Sequence, residues 1–396
     1  MIQRLNDAGF EAYLVGGGIR DLLLDRHPKD FDIATNALPN QIKKLFDNCR
    51  LIGRRFRLAH IFFGREIIEV ATFRAGHEGA QAHEARTRND GMVVRDNVYG
   101  TIEQDALRRD FTINALYYNL KDAALLDFTN GFKDLQNKKL HIIGDPKTRY
   151  QEDPVRMLRA ARIAGKLCLS ISRDTAEQIT KMNHLLSNIS PARLYDETIK
   201  LFHCGFANHT LPLLEKYELL KYLLPLTDNC LKKRHRFAKK LITHLLQNTD
   251  ERIHQKKPIT PAFLFAVALW YPLVETWTEL RKEKDLTNLQ AFEIAAKEIL
   301  RKQNKYTTIP KYIIAITNQI WELQHHLEQR HPKQIFRIAG YKRFRAAYDL
   351  LLLRAEAGEK LKPAADWWTE FQTKTEKQQQ KMIADIDTKK NSAKKS

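Results

Sequence analysis

The 396-residue chain is 43% hydrophobic and carries 66 Lys and Arg against 47 Asp and Glu, a formal charge of +19. Its length points to two or more packed units rather than one core. The longest apolar run, Ala262 to Trp277, is interrupted by Pro272 and is too short to cross a bilayer, so the sequence excludes a membrane span and predicts a buried core helix there.

Gln3, Arg4, Asp7 and Glu11 break up any apolar stretch that a signal peptide would need. Cys49, Cys168, Cys204 and Cys230 have no ligand spacing, which argues against disulfides and a zinc site and for a reducing compartment, the cytoplasm. The basic excess fits a polyanionic partner, most commonly nucleic acid. Charge alone leaves RNA, DNA and a membrane surface open.

The first 150 residues read as mixed α and β. Ala12 to Val15 is a short apolar strand running into Gly16-Gly17-Gly18, and Ile19 to Leu24 reads as a helix. Phe31 to Ala34 and Leu58 to Phe63 are the next strands; Gly64 and Arg65 turn the latter into Glu66 to Phe73, a hairpin. The polar, glycine-bearing stretch from Gly76 to Asn97 reads as a mobile loop. Ala124 to Phe128 is a further strand, followed by the turn residues Asn130-Gly131. After Pro146 the periodicity becomes helical, starting with Val155, Leu158, Ile163 and Leu167, and continues almost to the end. Lys232 to Lys240 mixes basic and aromatic residues and fits either an RNA-facing surface or a solvated helix face. From Lys377 the chain is polar and Lys-rich and is expected to be disordered.

Asp30-Phe31-Asp32 carries the chemical argument. Alternate residues of a strand face one side, so the two carboxylates project together, roughly 6–7 Å apart at the backbone. Such a pair can hold two divalent ions about 3.5–4 Å apart, as phosphoryl transfer requires. The glycine run a dozen residues earlier, between a strand and a helix, lets backbone approach a phosphate. Arg20 adds a positive charge at the start of that helix. Glu69, set among Ile67, Ile68 and Val70, needs a partner, either a metal ion or a nearby arginine. Asp153 before Pro154 is a good helix N-cap, and Arg156, Arg159 and Arg162 recur every three residues along one face, which calls for an anion opposite.

Leu14 to Asp21 and Asp30 to Thr35, together with Arg108-Arg109-Asp110-Phe111-Thr112-Ile113-Asn114-Ala115 and Glu152 to Ala160, resemble the head shared by bacterial poly(A) polymerases and class II CCA-adding enzymes. Four ordered motifs over some 145 residues carry the resemblance. It implies an α+β fold: a nucleotidyltransferase head with a small mixed sheet over 1–148, then an all-α neck with base recognition over 149–213. A helical, RNA-binding body over 214–376 and a basic tail over 377–396 complete it. It further implies that Asp30 and Asp32 bind two Mg2+ ions (Mn2+ being an acceptable substitute) and that Asp110 is an active-site residue. On the same grounds Arg109 contacts the nucleotide, Asn114 supports the sugar, and Gly17 and Arg20 hold the triphosphate. Asp153 and Arg156 read the base edge, with Arg159 and Arg162 as further basic contacts.

Leu51 to Ile61, with Gly53, Arg54 and Arg55 before a strand, resembles a signature of the poly(A) polymerase branch. The implied activity is template-independent transfer of AMP from ATP to RNA 3′ ends by a monomer. Gly76 to Asn97 would be its moving part during translocation. CCA addition to tRNA with CTP and ATP is the alternative.

Overall fold

Short apolar strands, separated by glycine and proline turns, assemble a seven-stranded sheet. In chain order they are β1 (Ala12–Val15), β2 (Asp32–Thr35), β3 (Cys49–Ile52), β4 (Leu58–Phe63), β5 (Glu66–Thr72), β8 (Leu116–Asn119) and β9 (Ala124–Asp127), with β6 (Ala85–Thr87) and β7 (Val93–Asp96) forming a separate hairpin. The order across the sheet is β3-β4-β5-β2-β1-β8-β9. Only β2 and β5 run parallel, with Asp32 opposite Glu69; the other neighbours are antiparallel, Val15 lying opposite Asp32. The computed structural model describes every residue except 54–56, 76–84, 88–92, 97, 284–285 and 394–396.

The period of two along β2 sorts its residues between two cores. Ile33 joins Val70, Ala59 and Ile61 beneath helices α1 (Ile2–Asp7) and α3 (Pro39–Leu45). Ala34 and Val15 join Ala106 and Tyr117 on the other face, where α4 (Ile102–Arg108) packs. Asp32, two residues before Ala34, therefore belongs to the α4 face. Helix α2 (Gly17–Leu23) follows β1 directly, and α5 (Gly131–Gln136), α6 (Pro146–Glu152) and α7 (Val155–Leu167) complete the part of the fold that builds the site.

The sheet and these helices lie in one compact unit, Met1–Asn188; Ile189–Ser396 forms a second, built of helices. The mixed head followed by helices is the α+β arrangement expected from sequence, including the β4-β5 hairpin. Strands β3 and β8 were not anticipated.

Three expectations need correction. The Gly76–Asn97 loop contains the β6-β7 pairing, which the β-branched Thr87, Val93 and Val94 favour; the rest of that segment, like Arg54 and Arg55, lies outside the described residues. The apolar run at 262–277 is two helices, Pro261–Ala268 and Trp270–Glu283. Pro272 has no N–H to give the carbonyl of Ala268, and the Thr227 hydroxyl donates to that oxygen instead, at 2.8 Å. The tail expected to be disordered carries a helix, Glu376–Ala393, because its Lys, Gln and Ala are good helix formers. Among the described residues no helix is long and apolar enough to cross a membrane.

Candidate active site

β1 ends at Val15 and passes the chain to Gly16, whose φ of +80° favours glycine. A Cβ there would lie 3.6 Å from Arg109 Nη1 and 3.7 Å from Asp32 Oδ2. Turn, carboxylate and guanidinium thus close on one point. Asp30 stands just before β2, exposed, with its carbonyl 3.1 Å from where a Gly18 side chain would begin.

The Asp32 carboxyl is pushed above its ordinary range by burial and then by Glu69, with Asp30 adding to the effect and Arg109 opposing it. Glu69 is exposed rather than buried, so the desolvation argument made for it does not apply. Its near partner is His60, whose Nε2 lies 3.2 Å from Oε1 without hydrogen-bond alignment. Mutually repelling carboxylates with hard oxygen donors fit a divalent cation of the Mg2+ or Mn2+ type. Such an ion takes one or two protein carboxylates and completes its shell from water and substrate phosphates. Among the described residues no group of three or more His, Cys, Asp or Glu is placed to hold a metal ion, so Asp30, Asp32 and Glu69 are not a three-ligand set.

Arg109 is held from behind. Its Nε donates to the Tyr117 hydroxyl (2.9 Å) and to Asp105 Oδ2 (3.2 Å), and Nη2 to the same carboxylate oxygen (3.1 Å). The Tyr117 hydroxyl donates to Asp105 at 2.6 Å, while Asp105 Oδ1 accepts from the Arg74 N–H at 3.1 Å. Burial by itself lowers the Arg109 pKa, but Tyr117 and Asp105 more than reverse it, so the guanidinium stays charged. Sequence reading missed Asp105 and Tyr117. The signal for Asp105 was its spacing four residues before Arg109 at the end of a helix.

A second network runs through the other expected residues. Arg20 does not stand open to a phosphate as expected. Its side chain is 7% exposed, Nε and Nη2 donating to Asp21 Oδ1 (2.9 and 2.5 Å) and Nη1 to Asn114 Oδ1 (2.5 Å). Lys166 Nζ reaches Asp21 Oδ2 at 2.8 Å. Asn114 Nδ2 donates to Asp110 Oδ1 (3.0 Å), and Arg159 closes on Asp110 Oδ2 through Nε (2.7 Å) and Nη2 (2.5 Å). Burial alone raises Asp110, but Arg159 and the Asn114 amide outweigh it and hold it down at about 2. The Thr112–Asn114 turn is pinned by α5: a side chain at Gly131 would meet the Thr112 carbonyl at 2.1 Å.

Two arginines of the α7 face, Arg156 and Arg159, find carboxylates within the protein. Arg156 Nη1 meets Glu152 Oε2 at 2.8 Å, Glu152 also holds Arg149 at 2.8 Å, and Arg159 holds Asp110. α7 starts at Val155, one residue later than predicted, so Pro154 rather than Asp153 is its N-cap and no side chain caps it; Asp153 Oδ1 accepts from the Val155 N–H at 3.3 Å from just outside the helix. Arg108 and Arg149 are each pulled down to about 10 by burial and by neighbouring guanidiniums, Arg74 for the first and Arg156 for the second. Gly17 lies against Arg20, and Arg162 sits half-buried on α7.

The Gly16 turn, the Asp32 carboxylate and the Arg109 guanidinium meet at this corner of the sheet, with Glu69 and Asp30 beside them. Three family descriptions match the chain: Poly A polymerase head domain at residues 12–141, a probable RNA and SrmB-binding site of polymerase A at 168–231, and Polymerase A arginine-rich C-terminus at 284–396. Poly(A) polymerase I of Escherichia coli O6:H1 is 47% identical over 392 residues, covering 98% of this chain and 84% of the relative. The Haemophilus influenzae counterpart is 48% identical over 388 residues, 97% and 86% of the two chains. A CCA-adding enzyme from Lactobacillus helveticus matches at 40% over 201 residues, 51% of this chain and 48% of its own. The Bacillus stearothermophilus CCA-adding enzyme solved with CTP superposes with a TM-score of 0.60 at 25% identity, covering 92% of this chain and 78% of that one. The chain belongs to the bacterial poly(A) polymerase family, and it is a nucleotidyltransferase.

Proposed function

We propose that the chain adds AMP from ATP to RNA 3′ ends without a template, releasing pyrophosphate. One observation carries the reading: Asp32 Oδ2 and Arg109 Nη1 converge on the Gly16 turn, with Asp30 and Glu69 adding negative charge beside them. Full-length similarity to poly(A) polymerases, against half-length similarity to CCA-adding enzymes, supports ATP over the two-nucleotide programme.

In this reading Asp30 and Asp32 hold Mg2+ (Mn2+ being chemically acceptable), and Glu69 borders the pair. Bound there, the metal supplies Lewis-acid polarisation of the attacking hydroxyl and charge neutralisation at the phosphates. The backbone at Gly16 and Gly17 seats the phosphates, and Arg109, pre-aimed by Asp105 and Tyr117, stabilises the negative charge that grows toward pyrophosphate. Asp110 is an active-site residue in this reading, held in place by Asn114 and Arg159. Arg20 and Asp21 brace the same wall. Asp153 and Arg156 stand at the start of α7 as base readers, each good bidentate contact discriminating by about 1–3 kcal/mol. The remaining positive charge of the chain holds the RNA backbone, and the enzyme works as a cytoplasmic monomer.

The test incubates purified protein and Mg2+ with a generic RNA, or with tRNA lacking its terminal nucleotides, and supplies ATP or CTP separately. Long ladders with ATP alone are expected. CTP-dependent addition of two nucleotides followed by a single A would overturn the reading in favour of CCA addition.

A further inference from the structure

A cavity of about 830 Å³ opens within the helical second unit, the size of a small organic ligand site. Successive turns of the helix Trp270–Glu283 give it Trp270 and Trp277, the helix Asn288–Asn304 gives it Phe292 and Glu293, and the helix Lys311–Gln329 gives it Glu322. Its floor is finished. Arg354, buried, lies 4.2 Å above the Trp270 ring and is held by Glu328 (2.6 Å) and Glu359 (2.7 Å). Its mouth is not. Glu293 and Glu322 are exposed, and neither has an ionic partner among the described residues. Burial and the facing Glu293 push the Glu322 carboxyl up.

Two further facts say what is missing. Four carboxylates line the cavity against two guanidiniums, those of Arg236 and Arg354, so this pocket is acidic inside a chain of net charge +19. Trp270 is only 2% exposed, and its indole N–H has no acceptor. A buried donor without a partner beside an unfilled volume is costly unless an occupant or its water completes it. Acid at the mouth and aromatic faces below select positive charge over phosphate.

We infer that this cavity binds an alkylammonium ligand, its ammonium group lying between Glu293 and Glu322 and its stem against Trp277 and Phe292. The shared chemistry has two sources, a free polyamine or a lysine side chain bearing an amide oxygen for Trp270. The inference does not rest on the reaction proposed above.

The experiment titrates the RNA-free full-length chain, at constant ionic strength, with spermidine, with Nα-acetyl-lysine methylamide and with AMP, reading tryptophan fluorescence. A saturable response to at least one amine is expected, weakened tenfold or more in Glu293→Gln and Glu322→Gln. The strong positive charge of the chain works against nonspecific attachment of a polycation elsewhere. Response to spermidine alone assigns a free polyamine; response to the lysine derivative assigns a side chain. Because Glu322→Gln relieves like-charge repulsion, that variant should melt no lower than the wild type, which keeps loss of binding distinct from loss of fold. No saturable response to either amine, an AMP response exceeding both, or wild-type affinity in the two glutamine variants would each overturn the assignment.

Discussion

Two regions of the first unit handle carboxylates in opposite ways. At the start of β2, burial and the charges of Glu69 and Asp30 work against the ionised form of Asp32, and Arg109 opposes them. At the seam between α4 and α7, Asp110 has Arg159 and Asn114, and Glu152 has Arg149 and Arg156. The second region is complete as it stands. The first leaves a raised carboxyl beside two more carboxylates, and under the proposed function a bound cation would balance them. Two aspartates from neighbouring motifs thus sit in different surroundings, Asp32 among other carboxylates and Asp110 between Arg159 and Asn114.

The sharpest way to break the comparison is Asp32→Asn. If Asp32 holds the metal, nucleotide transfer should fall by at least about 10²–10³-fold, as when a group stabilising the transition state is lost. Stability should not fall with it, because the folded state raises the Asp32 pKa, and removing the charge relieves repulsion at neutral pH. Primer-extension rates and thermal melts on the same preparation check both halves. An active variant, or an inactive one that melts several degrees lower, would place Asp32 with the paired carboxylates of the second region.

Asp110 should behave in the reverse manner. Asp110→Ala leaves Arg159 and Asn114 without their acceptor, and a loss of about 2–3 kcal/mol is expected. That is below the ~3–5 kcal/mol of a fully buried pair because Arg159 is 38% exposed. The sign of the pH dependence follows from the depressed pKa. The folded value of about 2 lies below the unfolded ~3.9, so the stability this group contributes is present above about pH 4 and lost as pH falls toward 2. The amount is about 2 kcal/mol. Denaturant melts from pH 6 to pH 2 should show that loss in the wild type and a flatter profile in Asp110→Asn. Matching profiles would mean that the Arg159 pair contributes nothing to the fold.

These contrasts were only partly legible in the sequence. The β1–glycine–helix unit and the Asp30/Asp32 pair are local patterns, and the strand period predicts which face Asp32 takes. Strands β3 and β8 escaped although they are as long as β1, β2 and β9, because Cys49-Arg50-Leu51-Ile52 carries a charge in its middle and Leu116-Tyr117-Tyr118-Asn119 follows the Thr112–Asn114 turn with no break in composition. Sequence shows the charge of Arg20 but not its burial, and Asn114, one of the residues it is hydrogen-bonded to, lies 94 residues away. The three arginines of α7 posed the same problem. Their spacing demanded an anion; Glu152, four residues before Arg156, was within local reach, whereas Asp110, which pairs with Arg159, lies 49 residues away.

The smallest effect tests how finely Arg109 is aimed. Tyr117→Phe removes the hydroxyl that accepts from Arg109 Nε and donates to Asp105, while keeping the ring whose centroid lies 5.2 Å from the Arg109 guanidinium carbon. Asp105 still holds Nε and Nη2, so the cost should be about 1 kcal/mol. If that loss falls on the grip of Arg109 on the triphosphate, KM for ATP should rise roughly fivefold with kcat little changed, since 1.4 kcal/mol corresponds to about tenfold. If it falls on packing alone, the melting temperature should drop while KM stays put. Steady-state kinetics with ATP varied at saturating RNA separates the two, and an unchanged KM would move Arg109 from the open region to the self-satisfied one.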